Sequence, residues 1–160
     1  MGPLRVVAVI GPGAPDDGDD ARAAAEVGRA LARAGAWVVT GGLGGVMAAA
    51  SRGARAEGGR VLAVVPGTER GEARADADAV VATGVGEARD LAVVASADAV
   101  IAVGGGWGTL AEIGLARKLG RPVVLLSSWR IATPDGGAPA GVTVASAPDE
   151  AVSLALGGAG

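Results

Sequence analysis

The sequence contains no histidine and no cysteine, and these absences exclude several classes of site. Without histidine there is no Ser-His-Asp or Cys-His triad and no His-ligated metal. Without cysteine there is no disulfide, no thiolate nucleophile and no zinc ribbon. Tyrosine is also absent, so acid–base chemistry must use Asp, Glu, Arg, the single lysine Lys118, the backbone or water. We therefore expect no metal site and no resident cofactor.

Aromatic residues are equally scarce, at 2% of 160 residues, and all of them are tryptophan. Because half of the residues are hydrophobic, a core must be built from Val, Leu, Ile and Ala. The length suits one domain, which we place at residues 1–160. Glycine is abundant instead, with 29 residues that cluster at the ends of apolar runs.

Neither a nucleic acid nor a membrane is an expected partner. The net charge is −3, whereas nucleic-acid binding normally needs a basic surface. The longest apolar stretch, Leu91 to Val103, is interrupted by Asp98 and is shorter than the roughly 20 residues of a spanning helix. A strand-like run from Leu4 to Ile10 leaves no room for a signal peptide. We expect a cytoplasmic protein.

Apolar runs alternate with helical patterns along the chain. Predicted strands cover residues 4–10, 36–40, 60–65, 79–82, 99–103, 123–126 and 142–145. Predicted helices cover residues 21–34, 46–57, 87–95 and 110–119, and a last helix opens at a capping box of Ser146 and Asp149. This order predicts an α/β fold: a Rossmann-like, doubly wound parallel sheet with helices on both faces.

Glycine-rich turns follow three of the predicted strands, at residues 11–13, 41–45 and 104–108. A turn of this kind that leads into a helix presents free backbone N–H groups, which suit a phosphate. The alternative is that the glycines only let helices pack close to strands. No Gly-Lys-Ser/Thr follows any turn, and the dinucleotide pattern lacks its third glycine and its acidic residue, so we expect neither an ATP-type P-loop nor an NAD site.

The third turn carries a more specific pattern. Its sequence is Gly104-Gly105-Gly106-Trp107-Gly108-Thr109-Leu110-Ala111-Glu112. This resembles the Pro-Gly-Gly-x-Gly-Thr-x-x-Glu motif of the Lonely Guy-type family, once labelled lysine decarboxylase-like. Residues 40–47, Thr-Gly-Gly-Leu-Gly-Gly-Val-Met, and the turn at 11–13 are similar to its other glycine motifs, in the same order.

The resemblance implies a nucleotide-binding fold, often dimeric, whose enzymes cleave the N-glycosidic bond of a nucleoside 5′-monophosphate. The matching catalytic residues are Glu112 and Arg89. The implied phosphate- or ligand-binding residues are Gly11, Gly13, Gly41, Gly42, Gly44, Gly45, Gly105, Gly106, Trp107, Gly108 and Thr109. We expect a homodimer, also because the helices at 46–54 and 110–119 are rich in Ala and Gly.

Three departures bring the chain closer to a second branch, which includes the molybdenum-cofactor carrier proteins. The family's Arg-Lys pair is Arg89-Asp90 here, its first Pro is Gly104, and one of its paired acids is Ala111. Carriers of that branch bind a pterin phosphate and perform no chemistry. Two hypotheses thus remain: a phosphoribohydrolase or a carrier.

Each candidate residue also has a structural interpretation. Thr109 and Glu112 fit a capping box, and Arg89 fits a solvated helix arginine. Trp107 fits side-chain packing as well as stacking on a base.

Overall fold

The computed structural model describes residues 3–15 and 18–157. The strands in it are β1 (Val6–Ile10), β2 (Trp37–Thr40), β3 (Val61–Val65), β4 (Ala79–Ala82), β5 (Ala99–Val103), β6 (Val123–Leu126) and β7 (Val142–Ala145). The α-helices are α1 (Asp19–Arg33), α2 (Gly45–Ala56), α3 (Arg89–Ala95), α4 (Trp107–Lys118) and α5 (Pro148–Ala155). Short 3₁₀ turns lie at Arg70–Glu72 and Gly86–Ala88.

All neighbouring strands pair in parallel, in the order β4-β3-β2-β1-β5-β6-β7. The chain builds the sheet outwards from β1 to β4 and then returns to place β5 on the other side of β1. The predicted doubly wound, Rossmann-like α/β fold is therefore confirmed. Ligands in such sheets bind where the strand order reverses, beyond the carboxyl ends of the strands. Here that point lies between β1 and β5.

Alternate residues of the central strand point into two separate cores. Val7 and Val9 pack with α1, α2 and α5, whereas Ala8 and Ile10 pack with α3 and α4. The period of two follows from the pleat of the strand, and burial on both faces explains its unbroken apolar sequence. No helix within the described residues combines the length and the apolarity needed to cross a bilayer.

Two predicted capping boxes are wrong. Helix α4 begins three residues earlier than expected, because Gly106 is its N-cap and Thr109 lies inside its first turn without capping it. At α5 the N-cap is Ala147, and Glu150 rather than Asp149 accepts hydrogen bonds from the Ser146 backbone N–H and hydroxyl, at 3.0 and 2.7 Å.

Candidate functional site

The three glycine turns pack against one another at the carboxyl edge of the sheet. The backbone N–H of Val46 donates to the carbonyl oxygen of Pro12 at 3.1 Å. A Cβ atom at Gly44 would lie 2.8 Å from the carbonyl oxygen of Gly13, and one at Gly45 would collide with the carbonyls of Pro12 and Ala14. Close backbone packing therefore accounts for Gly44 and Gly45, whatever else they bind.

A cavity of about 450 Å³ opens where the first and third turns meet, and we call it the central cavity. Seven of the predicted site residues line it: Gly11, Gly13, Arg89, Gly106, Gly108, Thr109 and Glu112. The sequence did not single out Glu87 and Asp90, which also line the cavity, as does Met47 at the end of the second glycine motif. Glu87 and Asp90 match no sequence motif that predicts a residue of a ligand site.

Glu112 is the buried acid of the central cavity. It lies on the second turn of α4, is 7% exposed, and its carboxylate makes no hydrogen bond to any other described residue. Burial raises the pKa of its carboxyl to about 7, and the positive charge of Arg89 opposes this shift. Glu112 is therefore a mixture of protonated and ionised forms near neutral pH.

Arg89, the first residue of α3, is 8% exposed, which rules out a solvated arginine. Its guanidinium forms an ion pair with Asp90 and lies against the backbone of Gly41, where an added Cβ would be 3.0 Å from Cζ. Burial lowers the pKa of Arg89, while Glu112 and Glu87 act to raise it. Gly41 thus makes room for a buried cation and does not itself line the cavity.

The N-terminus of α4 faces the same cavity. Gly106 caps it in an extended conformation without a side-chain hydrogen bond, and the first turn carries no acidic residue. As in any α-helix, the first backbone N–H groups, here those of Trp107, Gly108 and Thr109, have no acceptor within the helix. Together with the positive end of the helix dipole, they favour an oxyanion at this point.

Trp107 lies outside the cavity and outside the core. It is 78% exposed, and its ring lies 5.1 Å from that of Trp129, centroid to centroid. Trp129 Nε1 donates a hydrogen bond to the Gly106 carbonyl at 3.0 Å, so Trp129 supports the turn from behind. Its high exposure does not support the packing interpretation of Trp107, although its ring contacts that of Trp129.

A second cavity, of about 660 Å³, adjoins the first, and we call it the arginine cavity. It shares Gly13 and Leu43 with the central cavity and is further lined by Gly44, Gly45, Arg52 and Arg74, among others. The remaining predicted residues, Gly41, Gly42, Gly105 and Trp107, line neither cavity. Within residues 3–15 and 18–157, no group of three or more acidic side chains is placed to hold a metal ion.

A parallel sheet with a cavity at its switch point is the ligand-binding arrangement of doubly wound α/β proteins. The chain belongs to the SLOG cluster4 family, whose model matches residues 4–152. An uncharacterized protein from Archaeoglobus fulgidus is 38% identical over 153 residues, which is 96% of this chain and 95% of that protein.

Two solved structures are similar over almost the whole chain. One is a molybdenum cofactor binding protein from Rippkaea orientalis, with a TM-score of 0.84, 34% identity and coverage of 95% of each chain. The other is the molybdenum cofactor carrier protein of Chlamydomonas reinhardtii, with a TM-score of 0.80, 33% identity and coverage of 96% of this chain and 97% of that one.

Proposed function

We propose that this protein binds the molybdenum cofactor, a phosphorylated pterin, and carries it in the cytoplasm without chemical change. The observation that carries the proposal is the similarity to a cofactor-binding protein and a cofactor carrier at 33–34% identity over nearly the full length of each chain. The similarity spans the turns that line both cavities.

The residues of the central cavity fit such a ligand chemically. The N–H groups of Gly108 and Thr109, which line the cavity at the start of α4, would hold the phosphate. The amino-pyrimidinone edge of a pterin presents neighbouring N–H donors, and a carboxylate such as that of Glu112 can accept both. A cavity of about 450 Å³ falls in the usual range for small-molecule sites.

The electrostatics of the cavity favour carrying over cleavage. Cleavage of an N-glycosidic bond passes through a cationic state that an ionised carboxylate stabilises. Burial raises the pKa of Glu112 to about 7, so the fold disfavours the ionised form that such a state needs. Arg89, the other implied catalytic residue, is held by Asp90, where the family's enzymes have a lysine.

Cofactor retention tests the proposal. The purified protein is mixed with isolated molybdenum cofactor, and molybdenum and pterin are measured in the protein peak after gel filtration. We expect both at one equivalent per chain. Gly108→Glu should abolish retention, because a side chain fits there without a clash and its carboxylate would repel the phosphate. Gly71→Glu, in equally open space, is the control. If the unaltered protein retains no cofactor, the proposal is wrong.

The phosphoribohydrolase remains a second candidate, because a buried carboxyl with a raised pKa beside an arginine is also what a catalytic site provides. Release of free base is measured over a panel of nucleoside 5′-monophosphates. A carrier releases none. An enzyme would release base from at least one, and Glu112→Gln would lower its rate on the order of 10²–10³-fold while keeping substrate affinity.

We also propose a homodimer, formed through α3 and α4. The small residues of α2 do not support it, since they are buried within the chain against α1. The outer surface of α3 and α4 does, because Leu91 and Leu119 are 45% and 41% exposed there. The residues around them are small and exposed: Ala88, Ala92, Ala95, Ala111 and Gly114.

A further inference from the structure

The arginine cavity holds two cations that the rest of the described chain leaves unpaired. Three other arginines of α1 and α2 each have a carboxylate partner: Arg29 pairs with Glu26, Arg33 with Glu57, and Arg55 with Asp78. The side chains of Arg52 and Arg74 form no ion pair or hydrogen bond with any described residue, although both face the same cavity. Two like charges that line one cavity, with no counter-charge among its described residues, repel each other, and a bound anion would relieve this repulsion.

The backbone of this cavity also favours an anion. The N-terminus of α2 opens onto it through Gly44 and Gly45, with no side-chain cap and no acidic residue in its first turn. Among the described residues that line the cavity, none is acidic. The guanidinium groups and the helix terminus therefore act on the same space.

The two adjoining cavities differ in charge. The central cavity is lined by three acidic residues, Glu87, Asp90 and Glu112, and by one cation, Arg89. This balance favours a ring that carries hydrogen-bond donors. It leaves the α4 N-terminus as the one place in the cavity where an oxyanion is favoured. The arginine cavity is lined by two cations. It meets the central cavity at Gly13 and Leu43, which line both. A ligand that occupies both must carry a second anionic group.

We propose that Arg52 and Arg74 bind this second oxyanion of the ligand. The inference rests on the proposed function in one respect: the cofactor offers two sources of such a group, its oxo-molybdenum end and the second phosphate of a dinucleotide form. Both present several oxygen acceptors to guanidinium groups, which bind oxyanions through two parallel hydrogen bonds.

The first test uses inorganic ions and does not depend on the cofactor. Molybdate and phosphate are titrated separately into ¹⁵N-labelled protein at constant ionic strength, and backbone amide and arginine Nε–H signals are followed. We expect shifts at Gly44, Gly45 and the two arginines. The shifts at Gly44 and Gly45 should be lost in Arg52→Ala/Arg74→Ala and kept in Arg70→Ala/Lys118→Ala, which removes the same charge from exposed positions outside both cavities. Equal shifts in both double variants would overturn the proposal.

The second test identifies the group. Affinity is measured for metal-free molybdopterin, the molybdenum-loaded cofactor and its dinucleotide form. An unaltered protein that prefers the loaded form about tenfold or more, with the preference lost only in Arg52→Ala/Arg74→Ala, assigns the oxo-molybdenum end. The same pattern for the dinucleotide assigns the second phosphate.

The two proposals fail in different ways. If the unaltered protein binds the cofactor and both double variants bind every form equally well, the proposed function stands and the second oxyanion site is wrong. If the unaltered protein binds no form of the cofactor, the proposed function is wrong, and the ion titration alone decides whether Arg52 and Arg74 form an oxyanion site.

Discussion

Burial of the Glu112 carboxyl makes the stability of the folded protein depend on pH. In the unfolded chain its pKa is near the ordinary 4.5, and in the folded protein it is about 7. The folded state therefore binds more protons between these values, and stability falls as pH rises through this range. At about 1.36 kcal/mol per pKa unit, the loss between pH 5 and 8 is about 2 to 3 kcal/mol.

Glu112→Gln should remove this pH dependence. Glutamine keeps the shape and stays neutral, so the variant should match the unaltered protein near pH 5 and exceed its unfolding free energy at pH 8 by about 2 to 3 kcal/mol. Urea unfolding at both pH values measures the difference. Glu87→Gln, at an exposed position of the same cavity, is the control and should give no such gain. A gain of similar size at pH 5 would show that packing, rather than ionisation, is responsible.

The resemblance named Glu112 and Arg89, but not the side chains that modify them. Asp90 stood in the sequence only as a missing lysine, and the structure makes it the ion-pair partner of Arg89. Arg74 lies between the third and fourth predicted strands, in a segment to which the sequence assigned no element. Neither residue belongs to a motif, because its role comes from contacts between segments that are distant in the chain.

At the scale of elements, glycines in α1 and α2 set how closely the two helices pack. A Cβ at Gly53 would collide with the carbonyl oxygen of Ala25, and one at Gly28 would collide with that of Ala50. The backbones are therefore in direct contact, which only glycine allows.

Gly53→Ala should destabilise the protein by about 2 kcal/mol or more, because the helices must separate to admit a methyl group. Gly71→Ala is the control, in the 3₁₀ turn at Arg70–Glu72, where nothing lies within 4 Å of an added Cβ. It should leave stability unchanged or raise it by about 0.4–1 kcal/mol, because alanine restricts the unfolded chain. Thermal unfolding measures both. A neutral or stabilising Gly53→Ala would mean that the helix pair adjusts freely.

Strands were more predictable than helix ends. All seven observed strands lie within or coincide with the predicted ranges, since short apolar runs with β-branched residues, bounded by turn residues, leave few alternatives. The start of α4 was not predictable in this way. A glycine N-cap has no side chain that marks the start of a helix. Thr109 and Glu112 have the spacing of a capping box but do not form one.

At the scale of the whole molecule, the order of the strands in the sheet determines where the candidate site lies. The turns after β1 and β5 become neighbours only because β5 pairs with β1, although about 90 residues separate them. The alternation of strands and helices predicted that the turns share an edge. It did not give the strand order, and so did not show that a second cavity with Arg52 and Arg74 would adjoin the first.

The proposed dimer is testable on the α3–α4 surface. Light scattering at micromolar concentration should give twice the mass of one chain. Leu91→Arg should give the monomer, because it introduces a charge into an apolar contact that would bury it without a partner.

Val144→Arg, on the edge strand β7, is the matched control, since Val144 is 49% exposed and Leu91 is 45% exposed. It should leave the dimer intact. If Val144→Arg dissociates the dimer and Leu91→Arg does not, the chains instead pair through the free edge of the sheet, because β7 is an end strand with unpaired backbone groups. A single monomeric mass for the unaltered protein would contradict both arrangements.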